Sequence, residues 1–311
     1  MAKFPVKQDK SDEVSTRCGF VALIGAPNSG KSTLTNALVG AKVAIVTHKA
    51  QTTRGPVRGI ALVGNSEIIL VDTPGIFQPK RRLDRAMFGA AWNRAGDADL
   101  VALVIDAKRG LDRSLDPLLK HLPEVRRPIS AILNKVDQVS KPELLRLAAE
   151  IAVIRPFDRT FMLSALTGDG VADLKAYLAD AVPTGPWLFP ADQLTDVSLR
   201  QAAAEITREK LFLRLHDELP YSLTVETTDW KELKDGSIRI EQTIYVERES
   251  QRKILLGAKG ATVKEISMAA REEIGQMAEL PVHLFLFVKV RERWGDDPER
   301  YREMGLDYPK E

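Results

Sequence analysis

Gly25-Ala26-Pro27-Asn28-Ser29-Gly30-Lys31-Ser32 is the stretch from which the rest of the chain can be read. It matches the pattern G-x-x-x-x-G-K-[ST] in the setting that gives the pattern meaning. The apolar run Gly19–Ile24 before it reads as a strand, and Lys31–Val39 after it reads as a helix stopped by Gly40. Its glycines let the backbone curl so that successive N–H groups face phosphate oxygens. Lys31 can then reach the β- and γ-phosphates, Ser32 can ligate Mg²⁺, and the helix starting at Lys31 adds its positive end.

Outward from this loop, short apolar runs alternate with helical stretches as far as about Pro183. Val57–Val63 and Ile68–Val71 read as strands around a Gly64-Asn65 turn, and Leu100–Ile105 and Ile129–Leu133 as buried parallel strands. Helical patterns cover Asp84–Ala98, Pro142–Ile154 and Val171–Ala181. The alternation predicts an α/β domain with a doubly wound, mixed but mostly parallel sheet. Three more motifs fall at strand ends, the edge where such sheets bind ligands. Asp72-Thr73-Pro74-Gly75 puts a carboxylate where the Mg²⁺ shell is expected and a glycine N–H beside the γ-phosphate. Asn134-Lys135-Val136-Asp137 puts a carboxylate where it can accept from the N1–H and exocyclic amine of guanine, a donor pair that adenine lacks. Ser164-Ala165-Leu166 follows another strand and would support the base with a backbone N–H. In this order the four motifs imply GTP and GDP as ligands, with Mg²⁺.

After this the texture changes. Val182–Pro190 holds three prolines and a glycine in nine residues and reads as a linker; Pro183–Pro190 is the candidate hinge. Beyond it the elements run α-β-β-α-α-β: Leu199–Leu215, Leu223–Val225, Ile238–Val246, Gln251–Leu256, Ala261 to about Gln276, and Val282–Val290. Gly257-Ala258-Lys259-Gly260 joins the two central helices. A lone G-x-x-G is common, but in this order of elements it reads as the loop of an α+β KH domain of the bacterial type (type II). There the glycines let a helix-loop-helix approach a sugar-phosphate backbone. Arg252, Lys253, Lys259 and Lys264 are four basic residues between Ser250 and Lys264, a segment without an acidic one. Ile254 and Val263 read either as groove lining or as core. From Gln201 to Glu311 there are 18 Lys and Arg against 22 Asp and Glu, a net of −4. That balance argues for short, base-selective recognition of single-stranded RNA over general adhesion to nucleic acid. The expected division is a disordered tail at 1–16, a GTPase domain at 17–182, a linker at 183–198, an RNA-binding domain at 199–293 and a C-terminal tail at 294–311.

Composition narrows the remaining classes. The 311 residues are 44% hydrophobic and 28% charged with a net charge of +2, ordinary for a globular chain. The single cysteine, Cys18, excludes an intrachain disulfide, and four scattered histidines show no metal-ligand spacing. No apolar leader and no run of about 18 apolar residues occurs, so a cytoplasmic protein is expected. Peripheral contact with the inner membrane stays open, and a monomer is assumed.

The motifs resemble the Era family of bacterial GTPases. The likeness rests on Gly25–Ser32, Lys49-Ala50-Gln51-Thr52-Thr53-Arg54, Asp72–Gly75 and Asn134–Asp137, with Asp217–Ser222 and Pro281–Leu284 in the second half. It spans Gly19 to about Arg293, including the order of domains. The resemblance implies that Gln51–Arg54 lies in the mobile effector loop, where Thr52 or Thr53 ligates Mg²⁺ and senses the γ-phosphate. It also implies that Ile76 stands where signalling GTPases carry a water-orienting glutamine, so intrinsic turnover is expected to be slow. Asn28 matches an asparagine that binds K⁺ in related GTPases; on its own residue chemistry it reads equally as a turn former. Small-subunit ribosomal RNA near its 3′ end, and the 30S particle in assembly and rRNA processing, are the partners implied. Two other readings are an RNA-modifying GTPase, for which no catalytic cysteine or second cofactor site is visible, and a membrane-associated regulator.

Overall fold

The computed structural model describes residues 15–49, 52–55, 57–77, 79 and 81–309. The tail expected at 1–16 lies outside these except for its last two residues, and so do Ala50 and Gln51 of the effector loop.

The first domain builds on one sheet of order β2-β3-β1-β4-β5-β6. Its strands are β1 (Arg17–Gly25), β2 (Val57–Val63), β3 (Ser66–Asp72), β4 (Leu100–Asp106), β5 (Ile129–Asn134) and β6 (Thr160–Leu163). Every neighbouring pair is parallel except β2 with β3, which meet across the Gly64-Asn65 turn, Val63 opposite Ser66. Strand side chains alternate between faces, and β1 shows what that does here. Val21 and Leu23 enter the core under α1 (Lys31–Val39) and α5 (Val171–Ala181). Ala22 and Ile24 enter the other core, under α2 (Arg82–Asp97), α3 (Asp116–His121) and α4 (Lys141–Ile154). The sheet is therefore covered on both faces, and its loops at the C-terminal edge of the parallel strands are left open to a ligand.

Residues 183–198 are fastened to this domain. Glu67 is fully buried, and its carboxylate accepts from the backbone N–H of Leu188 at 2.8 Å and of Phe189 at 3.1 Å. The Ile60 N–H donates to Leu194 O at 2.8 Å. The candidate hinge thus runs along the edge of the sheet, where the buried glutamate holds it.

The second domain contains α6 (Leu199–Arg214), β7 (Leu223–Glu232), β8 (Ile238–Val246), α7 (Glu249–Leu256), α8 (Ala261–Ala278) and β9 (Val282–Val290). Its sheet runs β7-β8-β9, with β8 and β9 parallel, the pairing expected when two helices separate the strands. Helices α6 and α8 cover one face through Ala203, Ile206, Ala270 and Ile274. Strand β7 continues seven residues past the expected Val225, through a register shift between Thr227 and Asp229, because β8 stays beside it to Ile238.

Residues 294–309, the described part of the segment expected as a tail at 294–311, correct that expectation. Trp294, Tyr301 and Leu306 are buried, and α9 (Pro298–Glu303), which carries Tyr301, forms between the other two. Tyr301 and Leu306 pack on Ala86 and Met87 of α2, contacts that no local pattern could announce.

Candidate nucleotide and RNA sites

Loops at the C-terminal edge of the first sheet enclose a cleft of about 640 Å³. Pro27, Asn28, Gly30, Lys31 and Ser32 line one side, Thr52, Thr53 and Gly75 a second, and Asn134, Lys135, Asp137, Ala165 and Leu166 the third. Two of these loops need their glycines. Gly30 has φ +96°, and a Cβ there would fall 2.2 Å from Asn134 Nδ2; a Cβ on Gly75 would fall 2.8 Å from Pro27 Cα.

Lys31 is buried at the floor and donates to Gly25 O at 3.2 Å and Ala26 O at 3.1 Å. Burial pulls its ammonium down to about 8, against the nearby Asp72 charge, which pushes it back up. Phosphate oxygens placed there would favour the charged form and push the ammonium back up. Ser32, Thr53 and Asp72 converge beside it. Ser32 Oγ donates to Asp72 Oδ2 at 2.6 Å, Thr53 Oγ1 donates to the same oxygen at 3.2 Å, and the two hydroxyls are 3.0 Å apart. Adjacent ligands of an octahedral Mg²⁺, each about 2.1 Å from the metal, stand about 3 Å apart. Asp72 Oδ1 is buried without a hydrogen-bond partner, and burial raises the Asp72 carboxyl above its usual range. An orphaned carboxylate oxygen beside two hydroxyls at ligand spacing fits a hard divalent cation. Thr52 is turned elsewhere: its hydroxyl donates to Lys49 O at 2.8 Å and sits 2.7 Å from Thr47 Oγ1. The structure separates two threonines that the sequence leaves equivalent.

On the base side, Asn134 works as a brace. Its Nδ2 donates to Ser29 O at 2.9 Å, and its Oδ1 accepts from the N–H of Lys135 at 2.8 Å and Ala165 at 2.9 Å. Of the backbone N–H groups in Ser164–Leu166, that of Ala165 is therefore spent on holding its own loop against Asn134. Lys135 Nζ donates to Asn28 O at 2.7 Å and to Asp106 Oδ2 at 2.6 Å. Asp106, at the end of β4, is a supporting residue that the motif search missed; its place one residue past an apolar run was the available signal. Asp137 is exposed on the cleft wall.

Several motif residues shape the site from behind. Thr73 is buried and donates to Leu23 O at 2.6 Å. Ile76 is fully buried, and its N–H donates to Gly25 O at 3.0 Å, so its side chain does not reach the cleft to orient water. Ser164 Oγ accepts from the Thr167 N–H at 3.2 Å, Val136 packs on the core, and Ser29 and Pro74 are buried. Gly25 and Ala26 supply the two carbonyls that hold Lys31. Asn28 has φ +65° and donates to His48 O, in the effector loop, at 2.9 Å.

The effector loop is bonded to the second domain at several points. Lys49 Nζ donates to Phe212 O and Leu215 O, and Arg208 donates to Thr52 O. Glu209 accepts from the Val46 N–H at 2.8 Å and pairs with Lys42 at 2.6 Å. Arg54 is buried and donates to Leu223 O at 2.6 Å.

The G-x-x-G loop of the second domain is open. Gly257 (φ +69°) could not accept a side chain, since its Cβ would fall 2.3 Å from Thr262 Oγ1. Ala258, Lys259, Lys253 and Lys264 are exposed, while Gly260 caps α8 with φ +79°. Arg252 is partly committed, with Nε on Val288 O at 3.2 Å and its guanidinium on Glu249 at 2.9 Å. Of the two apolar residues left between groove and core, Val263 packs on the core and Ile254 is 61% exposed beside the lysines.

Comparison with known proteins agrees with this geometry. Residues 20–135 match the family model for a 50S ribosome-binding GTPase, and residues 218–295 match the KH domain model. The chain is 63% identical to "GTPase Era" of Brucella suis over 300 residues, 96% of each chain. It is 61% identical to the Rhizobium meliloti protein of that name over 304 residues, 98% of this chain and 97% of the other. Among solved structures, Aquifex aeolicus Era bound to GDP and AlF₄⁻ superposes with a TM-score of 0.89 at 35% identity, covering 93% of this chain and 99% of that one. An Era complex with MgGDPNP and nucleotides 1506–1542 of 16S ribosomal RNA gives the same TM-score at 36% identity, with the same coverage. A phosphate loop, an Asp-Thr-Pro-Gly loop and an Asn-Lys-Val-Asp loop around one cleft, followed by a KH domain and matched over nearly the full length at this identity, make the chain a member of the Era family of GTPases.

Proposed function

We propose that this GTPase is a switch that binds small-subunit ribosomal RNA near its 3′ end and assists 30S assembly and rRNA processing. It acts as a monomer in the cytoplasm and, through peripheral contact, at the inner membrane. The observation that carries the reading is the bonding of the effector loop to α6, the first helix of the KH domain, which ties the γ-phosphate side of the cleft to the RNA-binding half. The related Era complex with 16S ribosomal RNA supports the choice of RNA. The domain division is taken as 17–182 and 199–293, with residues 183–198 lying along the first domain.

Within the cleft, the backbone of Gly25–Ser32 and Lys31 hold the phosphates, Gly75 contacts the γ-phosphate, and Asp137 reads guanine. Ser32 and Thr53 would hold Mg²⁺ directly, with Asp72 accepting from its water shell; the ion's chemistry is to neutralise charge on the phosphates. Ile76 leaves turnover slow. Asn28 and the carbonyl of His48 form the K⁺ site: with the amide turned over, two oxygens face one another across the loop. Replacing K⁺ with Na⁺ lowers the hydrolysis rate if this is correct and leaves it unchanged if Asn28 only shapes the turn.

The test of the main reading is binding and GTP hydrolysis with an RNA of the 16S 3′ end, comparing wild type with a Lys253→Glu, Lys259→Glu double variant. Both lysines are exposed, whereas any substitution at Gly257 would also distort the loop. Loss of RNA affinity, together with loss of RNA-stimulated hydrolysis, is expected. Undiminished binding by the variant would refute the proposed RNA site.

A further inference from the structure

We propose that the C-terminal segment Arg291–Leu306 is a strap that positions the magnesium-ligating loop of the GTPase, with Arg54 as the residue it grips. The proposal rests on the reading of Thr53 as a magnesium ligand and adds what holds Thr53 in place.

Three consecutive residues face three different parts of the molecule. The Thr53 hydroxyl lies on Asp72 at 3.2 Å. The Arg54 guanidinium leaves the GTPase domain and donates to Leu223 O at 2.6 Å, Pro220 O at 3.3 Å and Tyr221 O at 3.4 Å, all in the KH domain. Its central carbon stands 5.4 Å from the Trp294 ring and 5.8 Å from the Phe212 ring, so aromatic rings of strap and KH domain both contact it. Gly55 lies against the strap backbone, where a Cβ would come 2.3 Å from Met304 O.

The strap is anchored at both ends of this contact. Trp294 is buried and donates from Nε1 to Ser222 O at 3.0 Å, fixing one end to the KH domain. Tyr301 and Leu306 bury themselves on Ala86 and Met87 of α2, the helix that follows the Asp72–Gly75 loop. One segment therefore touches the KH domain, the loop bearing Thr53 and the helix behind the γ-phosphate loop.

The choice of arginine argues for positioning over packing. Arg54 is 4% exposed, and burial, followed by the nearby Arg208 charge, pulls its guanidinium down to about 9. Its Nε has no partner, and among the described residues no carboxylate comes within ion-pair distance. An apolar side chain would occupy such a place at lower cost. What an apolar chain lacks is the planar fork that fixes direction on three carbonyls. Thr53 and Arg54 share a rigid peptide plane, so a displacement of the fork reaches the threonine.

The test uses the full chain with Gly55→Ala, Trp294→Ala, Trp294→Phe and, as reference, Thr53→Val. The readouts are the Mg²⁺ concentration that half-maximally slows release of a fluorescent, non-hydrolysable GTP analogue, and hydrogen exchange of the amides at 52–55. Neither depends on hydrolysis. Gly55 has no positive φ, so alanine is tolerated there except for its contact with Met304. Thr53→Val should raise the Mg²⁺ requirement most, and Gly55→Ala and Trp294→Ala should raise it about tenfold, as loss of outer-shell support does at metal sites. Exchange at 52–55 should accelerate, affinity for GDP without Mg²⁺ should stay constant, and Trp294→Phe should recover most of the loss. If Trp294→Ala melts below the assay temperature, Gly55→Ala carries the test. Wild-type Mg²⁺ dependence in the strap variants, beside a shifted Thr53→Val, overturns the strap alone. An unshifted Thr53→Val overturns the magnesium reading and the strap together.

Discussion

The two sides of the nucleotide cleft are built on different principles. On the base side every brace comes from the GTPase domain itself: Asn134 holds Ser29 O and the Ala165 N–H, and Lys135 holds Asn28 O and Asp106. On the magnesium side the loop carrying Thr52 and Thr53 is held by Phe212 O, Leu215 O, Leu223 O and Arg208, all beyond the linker. A guanine pocket that is complete within one domain can keep its affinity while the second domain moves. A magnesium loop held by another domain changes whenever that domain does. Under the proposed function, the difference gives retention of the nucleotide to one side and response to the other.

The contrast makes its largest claim at Asp137. On the proposed role of Asp137 as the guanine reader, Asp137→Ala removes two charge-assisted hydrogen bonds, which should weaken GDP and GTP alike by about 3–4 kcal/mol, two to three orders of magnitude in Kd. Asp137 is exposed, so the melting temperature should stay put. The KH domain should bind RNA as before, because among the described residues this side of the cleft has no bond across the linker. Titration calorimetry with each nucleotide checks the first part; a large change in RNA affinity of the nucleotide-free protein would break the separation of the two sides. Asp137→Asn, which offers an amide N–H in place of one carboxylate oxygen, should favour a base with a carbonyl at position 2.

A second prediction follows from Lys31, at the boundary between the two sides. Its folded value of about 8 lies below its unfolded value of 10.5. Below pH 8 the empty protein therefore carries a buried charge that opposes folding, a penalty relieved as pH rises from about 8 to 10.5. Phosphate binding should return the ammonium to its charged form, so above pH 8 each bound nucleotide takes up close to one proton and affinity falls about tenfold per pH unit. Calorimetry at pH 9 in buffers of different ionisation enthalpy measures the uptake directly. Asp72, raised by burial, should act in the opposite range: Mg²⁺ binding to the protein should weaken as the solution is acidified.

How much of this could be read from the chain follows the same division. Asn134–Asp137 and Gly25–Ser32 were legible because each is a continuous motif at the end of a strand, and local backbone geometry dictates its residues. Thr52 and Thr53 were not separable, because their different placement goes with Arg208 and Arg54 contacts to residues 156 or more positions away. Trp294–Leu306 read as a tail, since a six-residue helix has too few turns for periodicity and its buried faces meet two other domains' surfaces. Strand β6 has four residues of which only Leu163 is buried, which hid its limits. Ile254 read as possible core because it is apolar on a helix of eight residues, where one face cannot be told from another.

The smallest effect sharpens the comparison at its outer rim. Glu209 is buried, accepts the Val46 N–H and joins Lys42, Lys210 and Glu273 in an ion network between the two domains. Glu209→Gln keeps a carbonyl oxygen for Val46 and removes only the charge. Lys42 is 43% exposed and retains Glu273, so little Coulombic energy is lost, about 1 kcal/mol or less. The melting temperature should fall by about 2 °C, and less in high salt, where the exposed part of the network is already screened. GDP affinity without Mg²⁺ should not change, whereas exchange of the Val46 amide should quicken, because an amide oxygen accepts more weakly than a carboxylate. If exchange instead quickens equally at Asn134 and Ala165, the base side leans on the second domain after all, and the two sides of the cleft are one unit.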